Sequence, residues 1–358
     1  MSSAVLAQTA TAPASSGTPW TYSGLFDLYY LYDGNFPKGV GENDVTGFSY
    51  DSKASTPTLS LAELNIAKAA PSTGGFGFKT TLLAGDTATQ IAPGGQEARY
   101  QNIGQLYLTY LSKSGAGVDI GKFYTPFGYE VVESNLNYNY SRSFIFTDLL
   151  PVYHSGVRFY TPSYKGLVAS AYVVKSINNT DLGGSDNEGV YDANKSFGYI
   201  GQLNYQSPNG KLDAVETYGG SHDGPNGNQD RILLSDTDLT LLDTSNTYGL
   251  NYTNRQDTYD VGSGVQYNGY AAYYRRQLTT PYAAAFRIEK IFTHLGGTSS
   301  NADSFTATFE DKAAKNILLR LEARHDDSSI APFLTGTSGV QTKTQNTLSL
   351  SGVYTFGS

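Results

Sequence analysis

The chain has 358 residues, 39 of them glycine and 29 tyrosine, with a single methionine and no cysteine, which excludes a disulfide framework and a thiolate metal site. Charged residues make up 16%, and a formal net charge of −8 with a pI near 5.0 excludes the basic footprint of a nucleic-acid-binding protein. Mean hydropathy is −0.34 and no apolar run reaches about 18 residues, which argues against transmembrane helices but not against a membrane β-barrel, whose strands turn one face to a polar lumen.

At the start of the chain, Val5, Leu6 and Ala7 have the small-residue spacing of a signal-peptidase site, while residues 1–7 lack a basic n-region and a full apolar h-region. Residues 8–19 are rich in Ala, Thr, Ser and Pro and read as flexible. The segment 1–19 is thus expected to be a residual signal or flexible N-terminus. Residues 20–358 are expected to form one domain, because no Pro-rich or charged linker divides them.

The segment WTYSGLFDLYYLYD at 20–33 places Trp20, Tyr22, Gly24, Phe26, Leu28, Tyr30 and Tyr32 on one face and Thr21, Ser23, Asp27 and Asp33 on the other. About ten residues of this pattern, aromatic at both ends, match a tilted strand crossing a bilayer. The end of the chain repeats it, with Leu348, Leu350, Gly352, Tyr354 and Phe356 alternating against Gln345, Thr347, Ser349, Ser351 and Thr355. Pairing the first strand with the last removes both sheet edges, whose unsatisfied backbone groups cost several kcal/mol each in lipid. The expected fold class is all-β, a closed antiparallel up-and-down transmembrane β-barrel of about sixteen strands.

With the N-terminus in the periplasm, strands are expected to run outward near 20–33, 76–85, 118–123, 167–175, 212–219, 247–255, 282–292 and 316–325. Strands near 58–67, 103–111, 155–161, 196–205, 231–242, 264–276, 304–310 and 344–356 run back. The inward turns at 71–75, 112–117, 162–166, 206–211, 243–246, 277–281 and 311–315 are short, whereas the segments 34–57, 86–102, 124–154, 176–195 and 326–343 are long. Short periplasmic turns alternating with long external loops characterise outer-membrane barrels, and a soluble sandwich has no reason to keep them.

Two segments, SLAELNIAKAA at 60–70 and DKAAKNILLRLEARHD at 311–326, are rich in helix formers. In the second, Ile317, Leu319, Leu321 and Ala323 alternate with Arg320, Glu322 and Arg324, which favours a strand; both segments are read as strands.

The run VDIGKFYTPFGYEVVESNLNYNYSRSFIFTDLLPVYHSGVRF at 118–159, with AELNIAKA near the start and QNTLSLSGVYTF at the end, resembles the OmpL-like β-barrel porin family of Gram-negative-type bacteria. The most specific part is GKFYTPFGYEVVES followed by NYSRS and YHSGVR, and the likeness extends over nearly the whole chain after residue 20. The resemblance implies a pore in the bacterial outer membrane and leaves its substrate open.

A pore derives selectivity from charges on its inner wall and from a loop that narrows it. The strand register turns Asp236 and Asp238 inward on one wall, Arg287 and Glu289 on another, and Arg320, Glu322 and Arg324 on a third, with Lys79 and Arg158 also inward. These are the candidate pore-lining residues, and their mixed signs would set up a transverse field. The constriction-loop candidate is 124–154, with Glu130, Glu133, Tyr138, Tyr140 and Arg142 as its contact-forming residues; an element within 142–152 capping the barrel from outside is the competing reading.

Enzymatic readings find little support. The histidines at 154, 222, 294 and 325 show no HExxH or paired ligand spacing, and the acidic segment DLGGSDNEGVYD at 181–192 lacks the terminal Glu of an EF-hand loop. No catalytic residue, metal or cofactor is expected. The expected function is a porin for passive diffusion of small hydrophilic solutes or ions, its partners being outer-membrane lipid and those solutes, with homo-oligomer formation left open. The alternative is a filled, non-conducting barrel serving as a surface anchor or adhesion protein.

Overall fold

The structure, a computed structural model, describes residues 19–38, 45–91, 102–178, 196–223, 230–259, 262, 264–337 and 339–357. The expectations for the N-terminal segment 1–18 and for the acidic segment 181–192 lie outside the described residues. In chain order the strands are β1 (Trp20–Asp33), β2 (Pro57–Lys68), β3 (Gly75–Ala84), β4 (Ile103–Leu111), β5 (Gly117–Tyr124) and β6 (Tyr153–Tyr160). They continue with β7 (Leu167–Val174), β8 (Gly198–Gln206), β9 (Leu212–Asp223), β10 (Asp230–Asp243), β11 (Asn246–Thr258) and β12 (Val265–Thr279). The last are β13 (Tyr282–Leu295), β14 (Thr298–Ala314), β15 (Ile317–Ser328), β16 (Phe333–Leu334), β17 (Gln341–Thr342) and β18 (Thr344–Gly357). All except the small β16–β17 hairpin form one closed antiparallel barrel in which each strand pairs with its neighbours in the chain.

Closure joins β1 to β18, with Ser23 opposite Gly357 and Tyr30 opposite Leu350. No barrel edge remains to seek hydrogen bonds in lipid. The period-2 pattern decides which side chains face out: Trp20, Phe26, Leu28, Tyr30, Leu348, Leu350 and Tyr354 are exposed, whereas Asp27, Gln345, Ser349 and Ser351 are buried inside. Aromatic pairs mark the short-turn end of the outer surface, among them Phe76–Tyr110 at 5.3 Å, Tyr248–Tyr274 at 5.2 Å and Tyr282–Phe309 at 5.6 Å between centroids.

The inner face of β1 is not uniformly polar. Tyr29 and Leu31 are buried with Val45, Phe48 and Ala54 of the first loop and with Tyr140, so this end of the strand packs against loops instead of facing water. Both helix-rich segments are largely strand, the first lying in β2 up to Lys68 and the second divided between the end of β14 and β15. Pairing on both sides and a lipid-facing apolar row outweigh an intrinsic preference worth only tenths of a kcal/mol per residue.

One outward row departs from the apolar pattern. Glu216, Thr237, Tyr252, Tyr270, Lys290, Asp303 and Asp327 are successive register partners across β9 to β15. Within it Thr237 Oγ1 donates to Glu216 Oε2 at 2.7 Å and Lys290 Nζ lies 2.8 Å from Asp303 Oδ1.

Candidate functional site

The segment 125–152, between β5 and β6, enters the barrel and is held there by the inner wall. Its N–H groups find carboxylates: Gly128 donates to Asp236 on β10 at 2.8 Å, Tyr140 and Ser141 donate to Glu322 on β15 at 2.6 and 2.9 Å, and Phe144 donates to Glu289 on β13 at 2.6 Å. Its carbonyls find arginines. Arg287 donates to Ser141 O at 2.6 Å, Arg320 to Ser134 O and Asn137 O at 2.6 Å each, and Arg324 to Arg142 O at 2.8 Å. A loop with only two short helical turns leaves many backbone groups unpaired, and charged partners supply strong hydrogen bonds for them.

The wall arginines are also matched by carboxylates. Arg287 contacts Glu130 at 2.8 Å and Glu289 at 3.1 Å, Arg320 contacts Glu310 at 3.0 Å and Arg324 contacts Asp326 at 2.7 Å. Buried charges demand such pairing, since an isolated ion in this setting costs several kcal/mol. Apolar contacts complete the docking. Tyr129 stacks on Tyr273 of β12 at 4.4 Å, and the Ile145–Leu149 π-helical turn packs on β12 at Gly269, where an added Cβ would come within 2.6 Å of Ile145. The 142–152 stretch therefore lies inside, against β12, and does not cap the barrel from outside.

Of the nine wall residues expected to border the pore, Asp236, Asp238, Arg287, Glu289, Arg320, Glu322 and Arg324 point inward but are 5% exposed or less. Only Lys79 and Arg158 retain partial exposure. Among the loop residues Glu130, Tyr140 and Arg142 are buried, Arg142 turning back onto Val131 O at 3.3 Å, Val132 O and Tyr140 O at 2.6 Å. Glu133 and Tyr138 remain partly exposed beside Asn135 and Leu136. The loop is anchored from β8, through Gln202 donating to Pro126 O at 2.8 Å, around to β15 and β1. On the inner wall of β2 to β7, Leu61, Leu83, Phe123, Tyr153 and Tyr172 are buried under loop residues, while Asn65, Lys79, Tyr107, Thr109, Arg158 and Tyr160 stay partly exposed and form its uncovered part.

Two anchors escaped sequence reasoning. Asp27 on β1 accepts from Ser134 Oγ at 2.6 Å and Tyr140 Oη at 2.9 Å, and Thr308 on β14 accepts from Asn139 Nδ2 at 2.7 Å. The inward parity of Asp27 was legible, but its partner lies 107 residues away. In the first loop Asp51 is 1% exposed, and neither carboxylate oxygen has a hydrogen-bond partner among the described residues. Burial pushes its carboxyl up to about 7, against the opposing pull of Arg142. Burial, then the neighbouring Asp27, holds the Tyr140 hydroxyl well above its ordinary value. Both ring nitrogens of His154 are engaged, by Thr125 Oγ1 at 3.0 Å and Ser176 O at 3.2 Å, and the described residues contain no group of three or more His, Cys, Asp or Glu able to hold a metal.

An antiparallel barrel, apolar outside and polar within, with an extracellular-type loop folded across its lumen, defines an outer-membrane porin. The chain belongs to the family described as "Putative beta-barrel porin-2, OmpL-like", whose profile matches residues 19–356. It resides in the bacterial outer membrane. Among solved structures it is similar to an anion-selective porin from Comamonas acidovorans, with a TM-score of 0.67 at 12% identity, covering 95% of this chain and 100% of that one. It is also similar to a loop L8 deletion mutant of the Vibrio cholerae outer-membrane protein OmpT (TM-score 0.65, 10% identity, 95% and 100% covered). The Acinetobacter baumannii outer-membrane channel DcaP is a third (TM-score 0.64, 11% identity, 97% and 100% covered). At these identities the likeness is one of fold. Among curated proteins none matches the chain significantly.

Proposed function

We propose that this porin conducts small hydrophilic solutes or ions passively through the part of the lumen bounded by β2–β7 and by the loop tip around Glu133–Tyr138. The observation that carries this reading is where inward polar and aromatic groups keep exposure: Asp236, Asp238, Arg287, Glu289, Arg320, Glu322 and Arg324 are buried, whereas Asn65, Lys79, Tyr107, Thr109, Arg158 and Tyr160 of β2–β6 are partly exposed. In this reading Lys79, Arg158 and Glu133 face the solute, and Asp236, Asp238, Arg287, Glu289, Arg320, Glu322 and Arg324 position the loop and its neighbours. No catalytic step is involved. Planar-bilayer recording tests it: stepwise ionic currents are expected, and their complete absence with correctly folded protein would favour the filled barrel acting as anchor or adhesin.

We further propose that copies of the chain associate in the membrane through the outward row from Glu216 to Asp303. Charged side chains on a lipid-facing surface are costly near the bilayer midplane, and contact with another copy would shield them. Cross-linking in native membranes is expected to give a discrete oligomer that Glu216→Leu weakens; a monomer at every concentration would reject the proposal.

A further inference from the structure

The uncovered inner wall has a chemistry of its own. Across β4 to β7 one register row consists of Thr109, Asp119, Arg158 and Tyr172, all facing inward. Arg158 Nε donates to Asp119 Oδ2 at 2.8 Å, and Thr109 Oγ1 donates to Asp119 Oδ1 at 2.6 Å. The guanidinium is flanked by aromatic rings, with centroids 5.8 Å away for Tyr107, 5.6 Å for Phe123 and 5.7 Å for Tyr160. Phe123 and Tyr172 are buried, but Tyr107 and Tyr160 are partly exposed.

The seating of Tyr160 makes this wall a prepared surface. Tyr160 is seated directly over Gly117, where an added Cβ would come within 2.1 Å of the ring, so a neighbouring side chain would evict it. Next to Tyr107 the inward row continues as Gly121 and then Gly156, which are register partners. A Cβ at Gly121 would come within 2.1 Å of Leu106 O and one at Gly156 within 2.2 Å of Val173 O, so these glycines let the neighbouring strands approach closely. The wall therefore offers the partly exposed rings of Tyr107 and Tyr160 beside the Arg158 guanidinium, whose charge is balanced by the buried Asp119.

We propose that this surface, centred on Tyr107, Arg158, Asp119 and Tyr160, is a transit site for neutral, ring-shaped polyhydroxylated solutes, that is, carbohydrates. A sugar ring has an apolar C–H face that packs on an aromatic ring and a rim of hydroxyls that hydrogen-bond best to charged partners. A compensated ion pair suits a neutral solute better than an anion, which Asp119 would repel, or a cation, which Arg158 would repel. A linear polyol has the hydroxyls but no flat face. The proposal rests on the porin reading and adds the substrate class to it.

The test is single-channel recording in planar bilayers with maltose or sorbitol added at matched viscosity. Maltose is expected to reduce the ion current saturably, and sorbitol is not. Tyr107→Leu and Tyr160→Leu should each weaken the maltose effect about fivefold or more, while Tyr107→Phe retains it. Equal responses of the wild-type protein to maltose and sorbitol would overturn the proposal without any variant having to fold. Loss of the maltose effect in Tyr107→Leu with current intact supports it, and an unchanged maltose effect in both Leu variants rejects it. Absence of any current in the wild type would remove the porin reading and this proposal together, whereas current without block by maltose removes this proposal alone.

Discussion

Arg287 on β13 donates through Nη1 to Glu130 Oε1 of the inserted loop at 2.8 Å, across 157 residues of chain, with neither side chain more than 3% exposed. The same guanidinium reaches Ser141 O and Arg142 O, so one wall residue holds both limbs of the loop. Removing it with Arg287→Ala leaves Glu130 and Glu289 buried without their cation. The expected cost is about 3–5 kcal/mol, read by urea unfolding in detergent, together with a larger and noisier single-channel conductance. An unchanged conductance and midpoint would mean that the loop is held elsewhere.

Arg320 and Arg324 are covered by the loop and matched by Glu310 and Asp326, whereas Lys79 is partly exposed on the open wall. Lys79→Ala is expected to shift the reversal potential in a salt gradient toward cations, more at low salt than at high, because a fixed positive charge repels cations over a screening length. Arg320→Ala/Arg324→Ala should change conductance more than ion preference. The opposite ranking would place the arginines on the open path and the lysine off it.

Leu350 is 58% exposed on the outer face and its neighbour Ser351 is 3% exposed within. Leu350→Arg is expected to destabilise the inserted barrel by roughly 2–4 kcal/mol if it lies near the midplane. Refolding equilibria in lipid vesicles measure this, and a loss below about 1 kcal/mol would shift the residue to the interface.

Asp51 links pH to docking of the first loop. Its carboxyl is raised to about 7 in the folded protein and titrates near 3.8 when exposed, so the docked state holds the proton more tightly. Docking is therefore strongest at low pH, weakens as pH rises between these two values, and has lost this contribution above about 7. Hydrogen exchange of residues 45–54 should be slower at pH 5 than at pH 8 after correction for intrinsic rates, and Asp51→Asn should flatten the difference. A dependence of opposite sign would show that Arg142 and Arg324 dominate over burial.

The alternation of short turns and long loops predicts an orientation. In intact cells, a cysteine introduced at Gly297 in the β13–β14 turn should label with an impermeant reagent and one at Asn209 in the β8–β9 turn should not. Labelling confined to position 209 would invert the barrel.

The barrel itself was legible in the chain, because a strand with one face in lipid must alternate and its pattern is local. Leu350 against Ser351 and Phe26 against Asp27 already fix inside and outside, and the short turns fix the neighbours. The tertiary structure decided what fills the inside. The inward parity of Arg287, Arg320, Glu322 and Arg324 could be read from their strands, but their burial could not, since it depends on a loop more than 140 residues away in sequence that brings Glu130 and a series of backbone groups against them. The same holds for Tyr29 and Leu31, which share the wet face of β1 yet pack in an apolar cluster under the first loop. Alternation records only which side of the wall a residue faces; whether it meets water or protein there depends on where the loops go, and loop paths follow from long-range pairing of charges and backbone groups that leaves no periodic trace.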